Sequence, residues 1–419
     1  MENRNLVQAE LLISHHRYKD AEELLRLEIS QNMENAMAFS MLAAVLAYQE
    51  RAQEGLPAVQ RAISLEPDNP YHFYIHSIVL ERLKRYEQGI QELRKAIRLD
   101  PLQAHYYGHL SNLHIHLKDW KDALDAANKG LELDPQNALC SNMRALALTQ
   151  MGRRTEASQT IDGLLNRDPE NAVSHSNQGW TYLHKGEPKQ ALIHFREALR
   201  LQPGLDWARS GMLEALKARN IIYRGILAYY LWISRFKRNT QWGLIIGAYI
   251  GIRIIRAVAS SNPALEPWLS PIVTAYIIFA FSTWVASPLF NLFLMLDPFG
   301  RMVLNDRERM TGRWVGGTIL AALGLWISGL AFEMSSLKAA AFGAFIMILP
   351  LSGLAHARTR KTQMALGGYV LGLFAAGLLW FATAMLGKDD LAGTFSTLFI
   401  FGWIFNGWVA NYLIGRERA

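Results

Sequence analysis

Histidines are the residues in this chain whose spacing most invites chemistry. His72 and His76, then His105 and His109, stand four apart, and His114 and His116 follow. Side chains four apart share one face of a helix, so each pair presents two imidazoles to a transition metal. No carboxylate or cysteine completes a set at matching spacing, and the expectation is therefore packing histidines, no metal and no cofactor. Cys140 is the only cysteine, which excludes intramolecular disulfides and CxxC-type zinc or redox sites. There is no HExxH. Ser352 precedes Gly353, but His356, four residues on, is the last histidine of the chain, so no histidine from a later apolar run can pair with the serine. The apolar half holds no acidic pair for an aspartyl mechanism. Glu266, Glu333, Asp389 and Asp390 could pair with Arg253 and Arg256 to line a polar site for an ion, lipid headgroup or glycan precursor, although ordinary solvated loops are the favoured reading of these acidic residues. The chain is expected not to be an enzyme.

Charge separates the two halves of the 419 residues. Residues 1–219 carry 26 Lys or Arg against 28 Asp or Glu, whereas residues 220–419 carry 17 against 8. The basic excess thus lies among long apolar runs, the pattern of charge that sets membrane orientation rather than of nucleic-acid binding. The opening residues 1–20, broken by Glu2, Glu10, His15 and His16, do not read as a signal peptide.

Elements of regular length must position these residues. Prolines stand at 67, 101, 135, 169 and 203, each 34 after the last, and twelve residues before each is a small one: Gly55, Gly89, Ala123, Ala157 and Ala191, with Ala21 one period upstream. Six periods fit between residues 2 and 205. This pattern resembles the tetratricopeptide (TPR) repeat, most fully in the sixth unit, where Gly179, Tyr182, Gly186, Ala191, Phe195, Ala198 and Pro203 match. The resemblance implies six helical hairpins stacked into a superhelix, since no hairpin buries its apolar face alone. Residues 205–217 add an amphipathic capping helix.

In that family the first helix of each unit lines the concave groove. By this analogy the groove presents Tyr71, Tyr74, Ile78, His105, Gly108, Asn112, Asn142, Ser176 and Trp180. It lacks the Lys and Asn clamp of chaperone-tail binders, and an extended or helical protein segment is the expected occupant.

The second half is expected to be a polytopic transmembrane bundle, making the whole chain all-α. Residues 221–234 are apolar, aromatic and too short to span, and with the basic cluster Arg235, Lys237 and Arg238 they read as an interfacial helix. Six spans are expected near 241–259, 268–287, 314–332, 339–355, 364–386 and 391–414. Ser287 and Pro288 are expected to interrupt the second, leaving 288–313 as an interfacial or re-entrant connector that could couple to the repeats. Counting 221–238, 13 of the 17 basic residues fall on one side, which predicts cytoplasmic termini and repeats. Within the first span, Arg253 and Arg256 each cost up to about 3 kcal/mol at a central position. Gly243, Gly247, Gly251, Gly368 and Gly372 form small-residue faces for helix packing, within one chain or between chains.

The domains expected are a cytoplasmic TPR solenoid over 1–219, an interfacial helix and linker over 220–240 and a membrane domain over 241–419. Their combination reads as a scaffold or adaptor of a bacterial inner membrane that binds a protein segment and joins it to a membrane-protein partner or a second copy, among membrane lipid. A transporter or channel subunit with a regulatory TPR domain is the alternative.

Overall fold

The computed structural model describes residues 4–262, 264–296, 304–354, 357 and 359–416, and all regular structure among them is helical. The chain divides into two compact units. One comprises Met1–Gly211 with Leu231–Gln241, the other Met212–Tyr230 with Trp242–Ala419.

The first unit is a stack of six helical hairpins. Their first helices are Arg4–Ser14, Ala36–Tyr48, Pro70–Arg82, Ala104–Leu117, Ala138–Gln150 and Ala172–Lys185, each followed by a second helix ending at 31, 65, 99, 133, 165 or 201. A further helix, Asp206–Lys217, follows. Local chemistry repeats with the period. Asn35, Asn137 and Asn171 each cap a first helix by accepting the backbone N–H three residues on, which satisfies an otherwise orphaned donor. The reversal inside each hairpin is made by one residue at positive φ: His16, Glu50, Lys84, Lys118, Gly152 and Gly186. Only the last two are glycine, the residue that adopts this conformation without strain.

Small residues stand where helices approach. Phe195 is fully buried between Gly179 and Gly211, and a methyl group on either glycine would come within 2.7 or 2.2 Å of its ring. Consecutive first helices are also pinned by buried polar pairs 32 residues apart. Ser40 Oγ meets His72 Nδ1 at 2.8 Å, Ser77 Oγ meets His109 Nε2 at 3.0 Å, Asn142 Nδ2 donates to Ser174 Oγ at 3.1 Å, and the Thr149 and Thr181 hydroxyls meet at 3.0 Å. Buried polar groups demand such partners, so these pairs set the register of one repeat on the next.

Among the described residues, five helices are long and apolar enough to cross a membrane: Arg238–Ser261, Glu308–Ala331, Ser335–Gly353, Arg360–Met385 and Asp389–Gly415. The expected break at Ser287 and Pro288 does not occur, because one helix runs from Glu266 to Leu296. A proline removes one amide donor, and the flanking turns keep their own hydrogen bonds. Residues 297–303 of the expected connector lie outside the described residues. The apolar helix Ile221–Ile233 sets Tyr223 against Phe290 and Tyr229 against Phe279, with ring centroids 4.7 and 5.0 Å apart.

Candidate protein-binding groove

The groove is built on the first helices of the hairpins, where side chains seven apart share one face. Tyr71, Tyr74, His105 and Asn112 are all half-buried, with part of each still open to solvent. Tyr74 is the hub of the aromatic set, its ring 5.2 Å from His105, 5.1 Å from Tyr106 and 5.5 Å from His109. Burial pushes the Tyr71 hydroxyl up to about 12 and raises that of Tyr74 as well, so both stay neutral donors.

Asn112 donates to Glu81 Oε1 at 2.9 Å. His116 Nε2 lies 3.3 Å and His109 Nδ1 3.6 Å from the same carboxylate. Burial alone would raise the Glu81 pKa, but the His116 hydrogen bond and the charges of His109 and His116 outweigh it and hold the carboxyl below its usual range. Glu81 was missed in the sequence, although it stands seven residues after Tyr74 on the same helical face. The Arg82 guanidinium lies 5.8 Å from the centre of the Tyr48 ring. Aromatic faces, an amide and a carboxylate together suit a segment with apolar and basic side chains.

Other expected groove residues are differently placed. Ile78 and Asn142 are only 6% and 4% exposed, Ile78 in the core and Asn142 tied to Ser174 and Asn177. Gly108 and Ser176 are buried too. Trp180 stacks on Trp207 at 4.6 Å and donates to its carbonyl, so the closing helix takes up this tryptophan. The analogy could not foresee how closely neighbouring repeats press upon these positions.

The segment Leu231–Gln241 returns to the repeats. Trp120 Nε1 donates to the Arg235 carbonyl at 2.6 Å, Lys118 Nζ donates to the Phe236 carbonyl at 2.9 Å, and Lys237 pairs with Asp119. Leu231 and Ser234 line a cavity of about 220 Å³ with Thr149, Asn177, Trp180, His184 and Trp207. Burial, followed by the charge of Arg235, pushes His184 down to about 3. The chain thus occupies part of its own repeat surface.

The histidine pairs hold polar partners: His72 meets Ser40 and Glu66, His76 lies 3.4 Å from Glu92, and His109 meets Ser77. His114 departs from the expectation that no carboxylate completes a set. The hairpin reversal brings Asp119 and Asp122 to it, with one ligand atom from each of the three residues within 4.8 Å of the others.

In the second unit, Arg253 and Arg256 are exposed, and among the described residues neither has an ion-pair partner. A methyl group built on Gly243, Gly247, Gly251, Gly368 or Gly372 would meet nothing within 4 Å. Close packing falls instead at Gly316 against Leu292 and Gly402 against Leu373.

Comparison with known proteins follows this division. Tetratricopeptide repeat family models match residues 76–138 and 172–205. Similar solved structures include YrrB, described as a TPR protein with an unusual peptide-binding site, at 22% identity and TM-score 0.33 over 44% of this chain and 95% of that one. PilF of Pseudomonas aeruginosa is 19% identical with TM-score 0.40, over 49% of this chain and 94% of its own. A tetratricopeptide repeat protein from Parabacteroides merdae is 15% identical with TM-score 0.43, over 57% and 95%. No curated protein matches the chain. The hairpin stack with its 34-residue period is a tetratricopeptide repeat segment.

Proposed function

We propose that this chain is a membrane-anchored TPR scaffold whose groove, centred on Tyr74, His105, Asn112 and Glu81, holds a segment of another protein. The observation that carries the reading is the half-buried aromatic cluster beside the half-buried Glu81 carboxylate on the TPR groove face. Anchoring rests on the apolar helices. Leu320, Leu371 and Trp408 are 71%, 69% and 70% exposed, a surface that water disfavours and lipid accepts. The excess of basic residues on one side of the apolar helices supports a cytoplasmic position for the repeats at a bacterial inner membrane. The unpacked Gly243, Gly247 and Gly251 suit close approach by a helix of a membrane partner or second copy.

A second reading, a transporter or channel subunit regulated by its repeats, is favoured by one feature. A cavity of about 670 Å³ in the second unit is lined by Leu351, Phe374, Phe399 and other apolar residues, with Arg313, Trp314 and Thr318. Its volume suits a small apolar molecule.

Mild crosslinking in the native membrane, followed by solubilisation, compares partners of the unmodified chain with those of a Tyr74→Ala, His105→Ala, Asn112→Ala variant. A protein lost only from the variant supports the scaffold. Recovery of the chain alone in both overturns it in favour of the second reading.

A further inference from the structure

The reversal between the helices Ala104–Leu117 and Trp120–Leu133 gathers three groups that the groove does not use. His114 is 8% exposed, and its Nδ1 is buried without a hydrogen-bond partner among the described residues. Asp119 is the N-terminal cap residue of the second helix, yet its side chain caps nothing. Asp122, one turn on, is exposed and pairs with no other side chain among the described residues. One atom from each lies within 4.8 Å of the others. Zinc ligands in a tetrahedral shell stand ~3–3.5 Å apart, so small side-chain rotations close the set. Burial holds the imidazole below its usual range, in the neutral form that ligates, and Asp122 and Asp119 only partly offset this.

A buried imidazole nitrogen without a partner is costly, and a cation is the ligand that would satisfy it and two carboxylates together. One imidazole and two carboxylates select a borderline transition metal over magnesium, which prefers an all-oxygen shell. The chain supplies a cation of its own here, because the Lys237 ammonium pairs with Asp119.

We propose that His114, Asp119 and Asp122 form a binding site for a divalent transition-metal cation of the zinc class, and that Lys237 competes with the cation for Asp119. Metal entry breaks the Lys237–Asp119 pair, leaving water or a solvent anion as the remaining ligand. The site makes the hold of Leu231–Gln241 on the repeats dependent on metal.

Zinc binding to the purified full chain, measured by competition with a chromophoric chelator, tests this. One saturable site per chain is expected. His114→Ala and Asp122→Asn should each weaken it at least tenfold, and Lys237→Gln should tighten it several-fold. Asp122 is exposed, so its variant folds whatever the cost of removing His114, which far-ultraviolet circular dichroism checks. Absence of saturable binding, or unchanged affinity in Asp122→Asn, overturns the site. Unchanged affinity in Lys237→Gln overturns the competition.

Discussion

The indole of Trp120 donates a 2.6 Å hydrogen bond to the carbonyl of Arg235, tying the repeat stack to a segment 115 residues further along the chain. A half-buried donor and a carbonyl outside a regular helix each lose a partner if this bond is absent. Trp120→Phe should therefore release Leu231–Gln241. Trypsin cleavage after Arg235, Lys237 and Arg238 is expected to accelerate several-fold while the rest of the stack stays resistant. Unchanged cleavage would show that Lys118 and Asp119 hold the segment alone.

Gly130 illustrates how repeats four and five are joined. A methyl group there would come within 2.4 Å of Cys140 Sγ and 3.1 Å of the Ala104 carbonyl. Gly130→Ala should destabilise the repeats by about 1–3 kcal/mol, the usual cost of overpacking. Cys140→Ala in the same chain removes the sulfur and should restore part of the loss. Urea unfolding followed by circular dichroism reads both, and a double variant no better than the single one contradicts the steric account.

At Gly186 the cost is in the backbone. Its φ is +81°, and a methyl group there would meet nothing within 4 Å. Gly186→Ala should cost about 1 kcal/mol, since left-handed backbone disfavours an L side chain even in open space. The same unfolding assay checks it, and an unchanged midpoint refutes it.

Acid should unfold the repeats through their buried histidines. Burial pushes His109 down to about 4, with Glu81 opposing and His116, Arg82 and His105 assisting. The unfolded chain takes up this proton near 6.5, where the folded chain refuses it, so stability is full above pH 6.5 and is lost as pH falls towards 4. For His109 the loss is about 3 kcal/mol. His109→Gln should flatten the dependence of the unfolding midpoint across that window. A slope equal to that of the unmodified chain would mean other groups carry it.

Cys140 is fully buried, and burial raises its thiol to about 11. It should resist thiol reagents on either side of a membrane, so sidedness needs new cysteines. In a Cys140→Ala background, Ser260→Cys should react with an impermeant maleimide in intact cells and Ser64→Cys only after lysis. Both side chains are exposed. The reverse pattern would put the repeats outside.

The 34-residue period, the six hairpins and their closing helix are legible in the sequence because each repeat reads out local rules. Prolines end helices, asparagines cap them, and small residues allow two helices to touch. The apolar helices are legible for a similar reason, since a run of some 20 apolar residues declares itself by composition. The TPR resemblance named Tyr71, Tyr74, His105 and Asn112, which are half-buried, but the burial of Ile78 and Asn142 depends on the neighbouring repeat.

Contacts between residues far apart in the chain were decided only by the tertiary structure. Gly316 and Gly402 meet a neighbouring helix of the same chain, whereas Gly243, Gly247, Gly251, Gly368 and Gly372 meet none among the described residues, because a small residue matters only where another helix arrives. The helix runs unbroken through position 288 because a proline removes one amide donor while the flanking turns keep their own hydrogen bonds. Trp120 with Arg235, and His114 with Asp119 and Lys237, join groups that no spacing rule connects. Periodicity determines which face of a helix a residue occupies, whereas only the folded chain determines what that face meets.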